Sequence, residues 1–265
     1  MKNFFIDDKN AKEYISRIGD FIQDEVGAAN KDGIVLGASG GVDSSVAARL
    51  CQEADVKIKL FTMQKGDDMV VSRDLEDALE LMKQFKFDYQ NVDITKSCEA
   101  IEADAENITT LDPLDRLNIK ARVISNSLYI MARKLKSLVM GTTNLDERLL
   151  GYFPRCAVGP GDINPLGLLT KGEVQTLARH LDVPNSIINK PSNSGLCQSI
   201  TCSLERDFGF GYDAMDNYIL RGTSGNKEVD EKIAKRIALV KGKLNLSPIF
   251  TGVRQKEREN GNGIS

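Results

Sequence analysis

Gly33-Ile34-Val35-Leu36-Gly37 is a short apolar run, and directly after it the chain becomes polar and glycine-rich, at Ala38-Ser39-Gly40-Gly41-Val42-Asp43. Unbroken apolar runs of this kind suit strands buried on both faces, as in parallel sheets. Ser44-Ser45-Val46-Ala47-Ala48-Arg49-Leu50 then reads as a helix. The unit is strand, tight loop, helix, and it recurs. Residues 56–62 and 87–94 predict strands, 72–85 and 114–135 predict helices, and Leu138-Val139-Met140 enters a fourth strand ending at Gly141-Thr142. Ahead of them, Ala11, Tyr14, Ile15, Ile18, Phe21 and Ile22 recur at helical spacing and predict an amphipathic helix over 8–28. Strands alternating with helices predict an α/β fold, a doubly wound parallel sheet with helices on both faces. In such sheets ligands sit beyond the carboxyl ends of the strands, where the strand order reverses. Residues 37–45 and 141–147 both lie just past predicted strand ends.

The first of these loops carries chemistry. Its glycines let backbone N–H groups approach an anion, and the following helix adds the positive end of its dipole. Ser39, Ser44 and Ser45 add hydroxyl donors for phosphate oxygens. Asp43 would repel a phosphate unless it holds Mg²⁺, which bridges to the phosphates. The lysine of the ordinary GxxxxGK[ST] loop is absent, and GxGxxG is not matched.

Composition removes other classes. The chain has 265 residues, with 35 Lys and Arg against 38 Asp and Glu, a formal net charge of −3. No basic excess is available to neutralise nucleic-acid phosphates. No apolar run reaches the ~20 residues of a membrane helix. The opening MKNFFIDDKN lacks the form of a secretory signal. Five cysteines, at 51, 98, 156, 197 and 202, are odd in number and form no CxxC pair. That argues against a disulfide scaffold or structural zinc and fits a reducing cytoplasm. His180 is the only histidine, too few for a multi-histidine metal site, and its helical setting predicts a plain surface or half-buried role.

After Glu147 the texture changes. Residues 151–168 are rich in Gly and Pro and predict a long loop; helices follow over 171–181 and 228–243, a second polar loop over 191–203, and a frayed tail from about 255. With no repeat and no low-complexity linker, the expectation is one domain over 1–265. Glu99, Glu102, Asp104 and Glu106 predict a solvated helix face, and Tyr212, Asp213 and Asp216 predict residues that cap and pack a helix. Cys197 and Cys202 read as two free thiols, a redox or sulfur-carrying pair being the alternative.

Ser39-Gly40-Gly41-Val42-Asp43-Ser44-Ser45 resembles the pyrophosphate-loop signature of the ATP pyrophosphatases, with their adenine nucleotide alpha hydrolase-like, Rossmann-like fold. Further segments narrow the likeness. Gly141-Thr142-Thr143-Asn144-Leu145-Asp146-Glu147, Asn118-Ile119-Lys120-Ala121-Arg122, Leu169-Thr170-Lys171 and 208–216 resemble, in order, motifs of the ammonia-dependent NAD synthetases over about residues 10–250. The resemblance implies ATP-dependent amidation of deamido-NAD with ammonia through an acyl adenylate, releasing AMP and pyrophosphate. It implies that Gly37, Ala38, Ser39, Gly40, Gly41, Val42, Asp43 and Ser44, with Thr142, Lys171 and Asn193, hold ATP. Asp43, Lys171, Ser39 and Ser44 would carry the catalysis, and Asp43 and Glu147 would bind Mg²⁺. Arg122, Arg155, Asp162, Gly242 and Lys243 would meet deamido-NAD. It also implies a homodimer. Only ~36 residues precede the loop, too few for the amidase domain of glutamine-using forms. Free ammonia, or ammonia handed over by a separate protein, is the expected donor.

Four positions depart from the family pattern. Val158 stands where an acid is usual, Asn193 where a Thr is common, Gly242 where a His precedes Lys243, and Ile124 where a second Arg occurs. They leave two alternatives beside deamido-NAD amidation: a paralogue that amidates another acid, and a non-catalytic ATP-binding regulator.

Overall fold

The computed structural model describes residues 5–66, 73–157, 159, 161–190 and 204–243. Val158, Asn193, Cys197, Cys202 and the tail lie outside the described residues. In chain order the elements are α1 (Ala11–Ala28), β1 (Gly33–Gly37), α2 (Val42–Glu53), β2 (Ile58–Gln64), α3 (Arg73–Gln84), β3 (Asp88–Asp93), α4 (Thr95–Glu106), α5 (Pro113–Lys134) and β4 (Ser137–Val139). Then come α6 (Leu145–Leu150), α7 (Lys171–His180), α8 (Asn185–Ile188), α9 (Leu204–Phe208), α10 (Tyr212–Arg221), α11 (Lys227–Val240) and a 3-10 turn at Lys241–Lys243.

The four strands form a parallel sheet in the order β3-β2-β1-β4. Alternate residues of β1 serve opposite faces. Ile34 and Leu36 pack with residues of α1, α2, α3 and α7, while Val35 packs with Leu128 and Ala132 of α5. Helices therefore cover both faces, as the apolar run of β1 requires, and the doubly wound architecture is borne out. From β1 the chain crosses to β2 on one side, and β4 returns on the other, so the strand order reverses between β1 and β4. The crevice for a ligand opens there.

Three local differences from the sequence reading have physical causes. β2 begins at Ile58, not Val56, because Asp55 turns left-handed and the Val56 N–H closes α2 on the Cys51 carbonyl. β4 ends at Val139, since Met140 leaves the strand and bridges to Gly161 and Ile163 of the glycine-rich loop. The acidic face of α4 is not wholly solvated. Glu102 is buried and paired with Lys65 at 2.5 Å and with Arg116 at 3.0 Å.

The chain's first described residues run back along α7. The Ile6 N–H donates to Glu173 Oε1 at 2.8 Å, and His180 Nε2 lies 3.1 Å from Asp8 Oδ1. Among the described residues, no helix is long and apolar enough to cross a membrane.

Candidate active site

The loop after β1 is held open by its own atoms. Gly41 caps α2 without a side-chain hydrogen bond, so the first amides of α2 keep their capacity for an anion. Ser39 Oγ and Ser44 Oγ are 3.1 Å apart, and Ser44 Oγ also donates to the Gly41 carbonyl at 3.1 Å. Ser45 is different from expectation. It is buried with its hydroxyl on the Gly41 carbonyl at 2.9 Å, so it braces the loop rather than offering a donor. Gly40 has φ +78°, and a Cβ there would lie 1.9 Å from the Asp74 carbonyl oxygen. The start of α3 thus presses on the loop, and only glycine fits. Lys190 locks the contact, donating to the Gly40 carbonyl at 3.2 Å and to Asp74 Oδ1 at 2.7 Å while also pairing with Asp77.

Across the crevice, Lys171 is the first residue of α7, whose Thr170 N-cap forms a capping box with Glu173. Lys171 is 5% exposed, and its Nζ lies 2.5 Å from Asp43 Oδ2. Asn144 Nδ2 donates to the other Asp43 oxygen at 3.1 Å. Asn144 also caps α6 in a box with Glu147, and Tyr212 donates its hydroxyl to Glu147 Oε1 at 3.3 Å. Burial and the Asp43 charge push the Glu147 carboxyl up to about 7. Burial opposes the Lys171 ammonium, but Asp43 and Glu147 outweigh it and raise its pKa.

Beneath Lys171 lie two more acids. The Lys171 N–H donates to Asp146 Oδ2 at 2.9 Å and the Gly172 N–H to Asp216 Oδ2 at 2.7 Å. Asp146 is fully buried, and burial plus the neighbouring Asp216 carboxyl push it up to about 9.

The residues expected to meet a dinucleotide gather at the other end of the crevice. Arg122 Nε donates to the Arg155 carbonyl at 3.2 Å, and Arg155 Nη2 to the Gly242 carbonyl at 2.9 Å. Lys243 donates to the Gly151 carbonyl at 2.6 Å, and burial together with Arg236 and Arg155 lowers its pKa. A half-buried lysine with arginines beside it marks a place suited to an anion. Asp162 accepts from the Val139 N–H at 2.8 Å and faces the Tyr129 hydroxyl, so it also ties the loop to β4. Thr142 is half-buried in the loop after β4.

Residues 14–246 match the family model for NAD synthase. The chain belongs to the NAD synthase family. Within the family, it is 35% identical to an NH3-dependent NAD+ synthetase of Mycoplasmopsis pulmonis over 86% of this chain and 85% of that protein. Its fold is similar to the structure of an NMN synthetase from Francisella tularensis, with a TM-score of 0.84 and 29% identity over 91% of this chain and 98% of that one. It is also similar to an NH3-dependent NAD synthetase from Campylobacter jejuni subsp. jejuni, with a TM-score of 0.73 and 26% identity over 91% and 99%.

Sequence reading missed three groups that the family fold brings to the site. Asn144 carried a usable signal, since Asn followed three residues later by Glu marks a capped helix start. Lys190 and Asp146 stand in family-like segments but carried no sign of their role, because their partners are distant in sequence or lie on the backbone.

Proposed function

We propose that this chain amidates the nicotinate carboxylate of deamido-NAD with ammonia and ATP, giving NAD, AMP and pyrophosphate. One observation carries the reading: in a member of the NAD synthase family, Lys171, Asp43, Asn144 and Glu147 converge at the mouth of the pyrophosphate loop. Residues 37–44, with Thr142, Asn193 and Lys171, would hold ATP, its phosphates on the first amides of α2 and on the Lys171 ammonium. Ser39 and Ser44 keep the loop in shape for it. Arg122, Arg155 and Lys243, with the Gly242 carbonyl and Asp162 around them, would receive the substrate's phosphates. The nicotinate oxygen attacks the α-phosphorus, and pyrophosphate leaves. Ammonia then attacks the acyl carbon and gives up a proton to solvent as AMP departs. Neither step calls on a histidine.

Asp43 and Glu147 fit Mg²⁺. They are two half-buried carboxylates whose charges oppose each other, and Mg²⁺ uses one or two such ligands together with substrate phosphates. Mg²⁺ bound there would neutralise charge on the phosphates.

The same reading extends to a cytoplasmic homodimer of one-domain chains, supplied with free ammonia or with ammonia from a separate protein. Exposed Tyr129, Ile130 and Leu135 at the end of α5 suit a subunit contact.

A second reading has its own support. The Francisella tularensis NMN synthetase gives a TM-score of 0.84, against 0.73 for the Campylobacter jejuni enzyme. Gly242 and Ile124 also lack the side chains expected to meet a dinucleotide. On this reading nicotinate mononucleotide is the acid amidated. The deciding experiment supplies Mg-ATP and ammonia with either acid and measures NAD, NMN, AMP and pyrophosphate. NAD from deamido-NAD supports the first reading. NMN formed from the mononucleotide alone selects the second. ATP left intact with both overturns both and leaves a paralogue for another acid, which ATP cleavage with other acids would reveal, or the regulator.

A further inference from the structure

Asp146 and Asp216 come from different helices, and neither belongs to the ATP or nucleotide residues named above. Each gives one carboxyl oxygen to α7, Asp146 to the Lys171 N–H and Asp216 to the Gly172 N–H. Their other oxygens, Oδ1 in both, are buried and reached by no donor group among the described residues.

The contact is close on the α7 side as well. A Cβ on Gly172 would lie 2.6 Å from Asp216 Oδ2, so the glycine lets the helix settle onto the acid. Asp216 sits one turn after Tyr212 on α10, which places both on one face of the helix. Tyr212 reaches Glu147, and its ring lies 5.2 Å from the Lys171 ammonium. Residues of α10 otherwise pack with Leu150, Leu204, Phe210 and Ile233, apart from the core against the sheet. This face of α10 is therefore where that second cluster touches the crevice.

We propose that Asp146 and Asp216 form a positioning pair that fixes the first turn of α7, and with it Lys171, toward the ATP phosphates. This rests on the reading that Lys171 meets those phosphates. The pair touches no substrate. It anchors the backbone from which the Lys171 side chain extends, and it braces that backbone against α6 and α10 at once.

Substitutions by Asn separate this arrangement from general packing. In Asp216→Asn the amide oxygen still accepts from the Gly172 N–H. In Asp146→Ala/Asp216→Ala both acceptors for these α7 amides are gone. The test measures Mg-ATP affinity by calorimetry, kcat and KM for the accepted nicotinate nucleotide, and thermal unfolding. Asp216→Ala and the double Ala variant should weaken ATP affinity and lower kcat about tenfold to a hundredfold, with KM for the nicotinate nucleotide unchanged. Asp216→Asn should restore most of the loss. Unchanged ATP affinity in the folded double variant overturns the proposal. So does a KM for the nicotinate nucleotide that rises as much as ATP affinity falls. If the wild type turns over neither acid, the proposed function falls, and ATP affinity alone still decides the role of the pair.

Discussion

Lys171 Nζ and Asp43 Oδ2 are 2.5 Å apart although 128 positions separate them in the chain. The pair joins the first turn of α2 to the first turn of α7 across the crevice between β1 and β4. Its charges are held where water scarcely reaches, because Lys171 is almost wholly buried.

Removing one partner should therefore cost both stability and turnover. Asp43→Ala takes away the nearest partner of a buried ammonium and leaves only more distant carboxylates such as Glu147, and it is expected to lower unfolding free energy by about 3 kcal/mol. Adding Lys171→Met should recover much of that loss in a urea titration while activity stays absent. Near-normal ATP cleavage in Asp43→Ala would end the assignment of Asp43 to the reaction.

Asp146 should make the ligand-free protein less stable as pH rises. Its folded pKa, about 9, exceeds the ordinary carboxylate value of the unfolded chain. Between those values the folded state binds more protons, so unfolding free energy falls with increasing pH until about pH 9. Melting temperature should decline between about pH 7 and about pH 9, and Asp146→Asn should flatten that limb. A wild-type profile already flat there would contradict the burial of this acid.

Glu147 should govern the acid side of activity. Its carboxyl, raised to about 7, must be ionised to hold a cation. At low Mg²⁺ the rate should climb as pH passes through about 7, and saturating Mg²⁺ should move that limb to lower pH. Limbs that coincide at both Mg²⁺ concentrations would argue that Glu147 does not meet the metal.

Arg155→Ala should act on one substrate only. A charged contact to a phosphate contributes roughly 1.5–3 kcal/mol, so KM for the nicotinate nucleotide should rise about tenfold to a hundredfold. ATP affinity, measured by calorimetry, should hold. A fall in ATP affinity instead would relocate Arg155 to the other half of the crevice.

Lys190→Met should loosen the pyrophosphate loop. It leaves Asp74 and Asp77 unpaired and frees the Gly40 carbonyl. Weaker ATP binding with unchanged KM for the second substrate is the expected result of steady-state kinetics.

Much of this was legible from residues alone. The unbroken apolar run of β1 announced a two-sided parallel sheet, and the glycines announced the tight turn into α2 at its end. What stayed hidden depends on distance through space. Glu102 looked like part of a solvated face because Lys65 and Arg116 approach it only in the fold. Ser45 looked like a phosphate donor until the turn of α2 put the Gly41 carbonyl beside its hydroxyl. Asp216 read as a capping residue, and so it is, but the helix it caps is α7 rather than its own.

The strap formed by Ile6 and Asp8 gives the start of the chain an unexpected hold on the chemistry. It grips Glu173 and His180, near the two ends of the helix that begins with Lys171. Trimming the chain through Asp8, or fusing a bulky tag close before Ile6, would tug on that helix from outside the crevice. Such an edit would register as a defect in nucleotide handling, though no residue facing ATP had been altered.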